Sequence, residues 1–526
     1  MNMRAPITLL AILLGLLAWP LQAAKAAEFV TELSVDSARP IGPTNPLILG
    51  NNLQWVDRGD EMFRGDGKGP VLVMLERANA MSVPLLRYPG GSLSDLYHWR
   101  DGMGDLSERG ENEHFYSGRK QKVGVGTQEF LELCENLGAQ PLITVNIGSG
   151  TATEAADWVR LVNVTGLKSR ASGKPLPRVK YWEIGNEPYL KDDKQKKLWI
   201  TPAAYAAKAT QFIEAMRKVD PDIEIALPLR SDKISGLPAT PWPGFNETVL
   251  SAVKARFEYV SLHNAYLPMA IDAKYSDDEL YWASVAASRV VEADFAETRR
   301  MLARLQPGKQ IRLAVTEYNA LFTLGKSSDN YINSPAGALY LADLLRLFAY
   351  TPDLAFANFW SLSGNWHFGA ISQQGTPRPA HAILSAYREV LKGKLLPVSI
   401  RTATVDTPKV GYVPAMFGVA KVNALATSDD RKLRLLIINH DPQQASIVNI
   451  AFSDARQWSG GRLTTWQATS RFEVRDVDER FQRATGAIKA GADRLQIQVP
   501  PLGLAILELE PLAVSRKNIG KGRRDE

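Results

Sequence analysis

Between about residue 45 and residue 392, eight short apolar runs rich in β-branched and aromatic residues alternate with longer amphipathic stretches, and few folds accommodate that alternation. The runs are Leu47 to Asn51, Leu85 to Pro89, Pro141 to Ile147, Val179 to Ile184, Ile223 to Pro228, Tyr259 to Leu262, Ile311 to Thr316 and Ala355 to Trp360. They are too short for helices, whereas Ala203 to Arg217, Glu279 to Leu305, Pro335 to Ala349 and Ala380 to Leu391 carry apolar residues at three- and four-residue spacing. Eight strand-helix units point to an α/β fold, a (β/α)8 TIM barrel with enlarged loops over residues 45–392.

The chain has 526 residues, more than one hydrophobic core serves, so a second domain is expected. From about residue 395 the pattern changes to alternating strands and turns, as in Leu433 to Ile438, Ser446 to Phe452, Gly461 to Ala468 and Leu504 to Leu509. This predicts an antiparallel β-sandwich over 393–512, with residues 27–44 adding a strand, Phe29 to Val35, from the N-terminal side. No repeat or low-complexity linker separates the two parts, which are expected to pack firmly.

Residues 1–26 read as a secretory signal: a basic start, an apolar run from Ile7 to Leu21, and small residues around Ala24 and Ala26. The run is too short to span a bilayer. Export to a bacterial periplasm or medium is the expectation, and the single cysteine, Cys134, excludes an intramolecular disulfide and reads as a buried thiol. The formal charge of +6 falls to about +1 without the signal and the basic tail, residues 513–526. A nearly neutral body gives no sign of a nucleic-acid partner.

In a TIM barrel, chemistry sits at the C-terminal ends of the strands. The fourth run ends in Gly185-Asn186-Glu187 and the seventh in Thr316-Glu317. Two carboxylates converging on one bond suit glycoside hydrolysis: one acid protonates the leaving oxygen, the other attacks the anomeric carbon with net retention. Glu187 is expected to be the acid/base, kept protonated by its neighbour's charge, and Glu317 the ionised nucleophile. Other strand ends supply substrate-binding candidates. Asn186 is placed for a sugar hydroxyl or serves the turn; Asn52 follows the first strand; Arg87 pairs with Glu317 or forms a structural salt bridge. His263 contacts substrate, orients Glu187, or is a core histidine; Tyr266 donates to the nucleophile; Trp360 forms an apolar floor under a sugar or packs in the core.

These residues carry a resemblance. Gly-Asn-Glu on strand four with a strand-seven Glu is similar to the clan A glycoside hydrolases. Arg87-Tyr88-Pro89-Gly90-Gly91, then Tyr97-His98-Trp99-Arg100-Asp101-Gly102, Val260 to His263 and Pro500 to Gly503 resemble the family 51 α-L-arabinofuranosidases, from Ile48 to Leu509. The resemblance implies a barrel plus sandwich, a retaining mechanism, a carbohydrate substrate, and neither metal nor organic cofactor. Two positions depart from the family pattern: Ser92 stands where it has Asn and Gln54 where it has Glu, which loosens the expected sugar. The alternatives are another clan A activity, such as a xylosidase, a glucuronidase or an endo-acting exopolysaccharide hydrolase, and a non-catalytic carbohydrate-binding protein, against which the intact pair Glu187 and Glu317 argues.

Overall fold

Eight parallel strands close into a barrel in chain order: Gly50–Asn52, Leu85–Tyr88, Gln140–Val145, Tyr181–Ile184, Glu224–Pro228, Tyr259–Leu262, Arg312–Tyr318 and Leu354–Phe359, the last pairing with the first. The structure, a computed structural model, describes residues 28–231, 240–320, 323–325, 331–364, 367–453, 458–473, 481–488 and 494–511. The expected signal and the basic tail lie outside the described residues.

Alternation along the strands splits the barrel interior into two layers. At the N-terminal end Leu85, Leu142, Tyr181, Tyr259, Ala314 and Phe356 form a closed apolar plug. One pleat further along, the inward positions turn polar: Asn52, Arg87, Thr144, Glu183, Ser261 and Thr316 are all buried. Outward residues such as Trp182 and Ile184 join the large core beneath the helices. An apolar floor under a polar cup places buried charge at the barrel mouth.

The eight strands fall on the expected runs with shifted ends, and two of the shifts bear on the site. The first begins later, because Asn45 accepts from the Leu47 amide at 3.1 Å and caps a 3-10 turn over Pro46–Leu49. The seventh runs on through Tyr318, so Glu317 lies within the strand. Its pairing with strand eight shifts register between Val315 and Tyr318. Strict alternation would send Thr316 and Glu317 to opposite faces; the irregularity turns both toward the mouth.

Most of the remaining strands form the two sheets of a sandwich, and three two-stranded pairs stand apart from them. A four-stranded sheet orders Val398–Arg401, Glu28–Val35, Ala445–Phe452 and Arg494–Val499, and a seven-stranded sheet includes Val422–Ser428, Leu433–Asn439 and Gly503–Pro511. Leu33, Val35, Leu435, Ile437, Val448 and Leu507 are among the side chains buried between them. The strand Glu28–Val35 is interior to its sheet, and Gly42–Pro43 pairs with Lys394–Leu396 of the other. Among the described residues no helix is long and apolar enough to cross a membrane.

Candidate active site

Strand four delivers Glu187 through a backbone turn that few residues tolerate. Gly185 has φ +81°, and a Cβ there would meet Ile147 Cγ2 at 2.1 Å, so only glycine fits. Glu187 itself adopts φ +49°, left-handed for a residue with a side chain. The turn is held from below: Tyr205 donates its hydroxyl to Ile184 O at 2.9 Å, and buried Asp95 accepts from the Asn186 amide at 3.4 Å.

Burial pushes the Asp95 carboxyl up to about 7. Below pH ~4 the folded and unfolded chains both hold that proton; between ~4 and 7 the unfolded chain releases it first, so Asp95 costs stability as pH rises. Asp95→Asn keeps an acceptor for Asn186 and removes that cost. Its melting temperature is expected to match the wild type near pH 4 and exceed it at pH 8, where the difference is worth at most ~4 kcal/mol. Melts at the two pH values check this, and an equal gap at both would overturn it.

Glu187 and Glu317 meet around His263. Its Nδ1 is 3.0 Å from Glu187 Oε1 and 4.0 Å from Glu317 Oε2. Those distances cap the separation of these two oxygens at about 7 Å, which admits the ~5 Å of a retaining pair. Tyr189 donates to the same Glu187 oxygen at 3.1 Å, and Oε2 takes no hydrogen bond among the described residues. Tyr266 donates to Glu317 Oε1 at 2.6 Å, as its place after strand six suggested. Glu317 Oε2 is buried without a donor among the described residues, so its lone pairs are free.

The electrostatics reverse the expected order of the pair. Burial alone would raise Glu187, but the hydrogen bond and charge of His263 outweigh it and hold the carboxyl low. Glu317 is raised by burial and by the neighbouring Glu187 charge, despite His263 and Arg87. Burial would lower His263, yet the two carboxylates raise it. Both directions, Glu187 lowered and His263 raised, favour the shared proton of the pair on the imidazole.

Beneath the pair lies a network centred on Arg87. This guanidinium is fully buried: Nε donates to Glu183 Oε2 at 2.8 Å, Nη2 to Asn186 Oδ1 at 2.8 Å and Nη1 to Asn52 Oδ1 at 2.9 Å. Glu317 Oε2 is 3.5 Å from Nη1. Arg87 therefore serves Glu183 first and Glu317 second, and it reaches the site from below instead of facing substrate. Asn52 is likewise removed from substrate, because it is fully buried with Oδ1 on Arg87 and Nδ2 on the carbonyls of Thr316, Asn358 and Phe359. Asn186, whose oxygen is held by Arg87, has Nδ2 left for the mouth.

Glu183 is the functional residue that sequence reasoning passed over. Burial raises its carboxyl, but Arg87, His263 and the hydroxyls of Thr144 and Thr316 win and keep it ionised. Thr144 donates to Oε2 at 2.7 Å. Oε1 has no donor within hydrogen-bond geometry, and the Thr316 hydroxyl, 3.0 Å from His263 Nε2, is the group placed to supply one. Its signal was a charged residue two positions after inward-facing Tyr181 in an otherwise apolar strand.

Around the rim, Trp360 lies against the glycine turn of strand two, where a Cβ on Gly91 would meet its Cη2 at 2.7 Å. Asn319 donates to the Trp360 carbonyl and fixes that segment. Ser92 is partly exposed, and near it stands Tyr116, a residue of the hairpin Glu111–Glu113 and Lys120–Lys122 that the sequence did not single out. The Tyr116 ring is half-exposed while its hydroxyl reaches inward, where burial pushes it up to about 12. Gln54 is nearly buried beside Gly90, and its own amide donates to Asp60 Oδ2 at 3.3 Å. Among the described residues no three His, Cys, Asp or Glu side chains group as metal ligands.

Comparison with known proteins meets this geometry from two directions. A family model of the alpha-L-arabinofuranosidase 1 domain matches residues 77–249, which contain Arg87 and Glu187. Over 210 residues the chain is 32% identical to a probable alpha-L-arabinofuranosidase C of Aspergillus terreus, a match covering 37% of this chain and 41% of that protein. The chain thus spans about three to four tenths of the length of the fungal relatives it matches. An intracellular exo-alpha-L-arabinofuranosidase of Bacteroides ovatus is 23% identical, over 82% of this chain and 84% of that protein. The crystal structure of an alpha-L-arabinofuranosidase from Thermotoga maritima in complex with arabinose superposes with a TM-score of 0.77 at 21% identity, covering 91% of this chain and all of that one, a likeness of fold. With a matched domain over strands two to five of its barrel and a shared architecture through its sandwich, the chain resembles the family 51 α-L-arabinofuranosidases.

Proposed function

We propose that the chain is a retaining glycoside hydrolase of the α-L-arabinofuranosidase type, with Glu317 as nucleophile and Glu187 as acid/base. One observation carries the reading: two carboxylates from strands four and seven share one imidazole, and one oxygen of Glu317 is left without a donor. Sugar binding expels water from the mouth, and a buried ion pair then costs more than its neutral form, so the proton moves from His263 Nδ1 to Glu187. Glu317 Oε2 attacks the anomeric carbon, the C–O bond breaks, and the leaving oxygen takes the Glu187 proton. Glu187, now ionised, removes a proton from water; the hydroxide attacks the same carbon and releases Glu317. The Asn186 Nδ2 donor faces a sugar hydroxyl, and Trp360 provides an apolar surface against Gly91.

Ser92 and Gln54 favour keeping another clan A sugar as a second reading. The test is nitrophenol release from aryl α-L-arabinofuranoside, β-D-xyloside and β-D-glucuronide. Turnover of the first alone supports the proposal; turnover of only the others replaces it with the second reading. Export is a separate proposal that rests on the residue pattern at the N-terminus, and fractionation of expressing cells tests it.

The shared proton has a consequence for pH. Glu317 must be ionised, so kcat/KM is expected to fall on the acid side through a pKa above the ordinary carboxylate value. On the alkaline side it should fall as the Glu187–His263 pair loses its proton, through a pKa above the ordinary histidine value. In His263→Gln the last proton rests on Glu187 alone, and the alkaline limb is expected to move to lower pH. An unmoved limb would remove His263 from the proton inventory.

A further inference from the structure

Two loops on one side of the mouth carry positive charge that the chemistry at Glu187 and Glu317 does not use. Residues 111–122 and 190–199 together hold seven Lys or Arg against four Asp or Glu, an excess larger than that of the whole body of the chain. Gln195 joins the loops, its amide donating to Glu113 Oε1 at 3.1 Å and to Phe115 O at 2.8 Å. Lys197 pairs with Glu113 at 2.5 Å and Lys196 with Asp193 at 3.3 Å. Among the described residues Lys191, Lys194 and Arg119 have no carboxylate within ion-pair distance.

Two of these cations are held in place without being neutralised. The Lys191 ammonium stands 4.8 Å from the centre of the Trp242 ring, and that of Lys194 stands 5.0 Å from the centre of the Tyr116 ring. An aromatic face orients an ammonium but leaves its charge for an anion. Tyr116 carries its ring from that ammonium toward the mouth, where its hydroxyl feels the charge of Glu317 and Glu187, and Trp242 donates its backbone amide to the carbonyl of Tyr189, whose hydroxyl binds Glu187. The positive wall therefore lies beside the mouth, on the side from which Tyr116 and Tyr189 approach the reacting groups.

We propose that this wall is a binding subsite for the carboxylates of an acidic polysaccharide, so that the substrate is a uronate-bearing polymer and not a neutral arabinan. The inference rests on the glycosidase reading for its place but on the lysines for its chemistry. The groups closest to the mouth are single ammoniums instead of guanidinium forks, which suits isolated carboxylates on successive sugars better than a continuous run of phosphates.

Calorimetric titration of the full chain with oligogalacturonate, a neutral arabino-oligosaccharide and duplex DNA tests it, at ionic strengths of about 20 and 200 mM. Oligogalacturonate is expected to bind, to weaken at least about five-fold at the higher salt, and to weaken about ten-fold in Lys191→Gln/Lys194→Gln, with melting temperature as the check on folding. Arg119→Gln, at the exposed end of the hairpin, provides a second variant if the double one fails to fold. No binding of oligogalacturonate, binding indifferent to both variants, or an equal dependence on these lysines for the neutral oligosaccharide or for DNA would each overturn the proposal. Because these readouts need no turnover, failure of the arabinofuranosidase reading would show in the aryl glycoside panel and leave this result separate.

Discussion

Glu317→Gln is expected to lower kcat on an aryl α-L-arabinofuranoside by about ten-thousand-fold or more, because the amide cannot form the glycosyl ester through which retention proceeds. Nothing nearby takes over. Arg87 and Asn186 are engaged below the site, and Tyr266 points its only proton at Glu317 Oε1. Glu187→Ala should behave differently. A nitrophenolate leaves without protonation, so the first step survives, while the second slows for want of a base; azide, which needs no deprotonation, should restore turnover and yield the glycosyl azide with retained configuration. Steady-state rates with and without azide, and NMR of the product, separate the two roles. A Glu317→Gln rate within ten-fold of wild type would remove Glu317 as nucleophile.

The second large effect is expected at Glu183, which touches no substrate. Arg87 and Glu183 are both fully buried, and a buried ion pair that loses one partner typically costs about 3–5 kcal/mol, because the other charge is left unpaired. Glu183→Gln keeps volume and one acceptor, so a loss of about 3 kcal/mol is expected, together with a change in chemistry that an inert salt bridge would not produce. Freed from its first partner, Arg87 is drawn to Glu317 Oε2, already 3.5 Å away, and stabilises its ionised form. The acid limb of the pH profile should therefore move to lower pH. Denaturant unfolding and the pH dependence of kcat/KM check the two halves; stability within ~0.5 kcal/mol of wild type with an unmoved limb would show that the network does not tune the nucleophile.

The barrel was legible because each strand is a β-branched or aromatic run bounded by helix. Glu187 and Glu317 were legible because a carboxylate after such a run has to be explained. Tyr266 and His263 followed from the same rule and lie on the pair. What the sequence conceals is depth. Asn52 and Asn186 are both buried amides at strand ends, yet Asn52 has both side-chain ends bonded while the Nδ2 of Asn186 takes no partner among the described residues, a difference set by neighbours distant in sequence. Glu183 was hidden because a charge inside an apolar strand has meaning only once Arg87 is seen opposite it, 96 residues away. The protonation order went astray for a related reason: proximity of two carboxylates was foreseen, but a buried imidazole bonded to only one of them decides which loses its proton first.

The strand Glu28–Val35 has a bearing on how the chain is made. It lies between Val398–Arg401 and Ala445–Phe452, so its first neighbour is synthesised roughly 360 residues later, about 20–70 s at ordinary elongation rates. During that interval the barrel has emerged complete while an unpaired strand precedes it. Alternate residues carry charge on its exposed face, Glu28 and Glu32, which guards a waiting edge against pairing with another nascent chain. The sandwich is thus a clasp that shuts last, and a gene truncated before residue 398 would leave a leading strand with nothing to close on and a barrel without the Leu425, Leu436 and Ile506 side chains that complete its outer core.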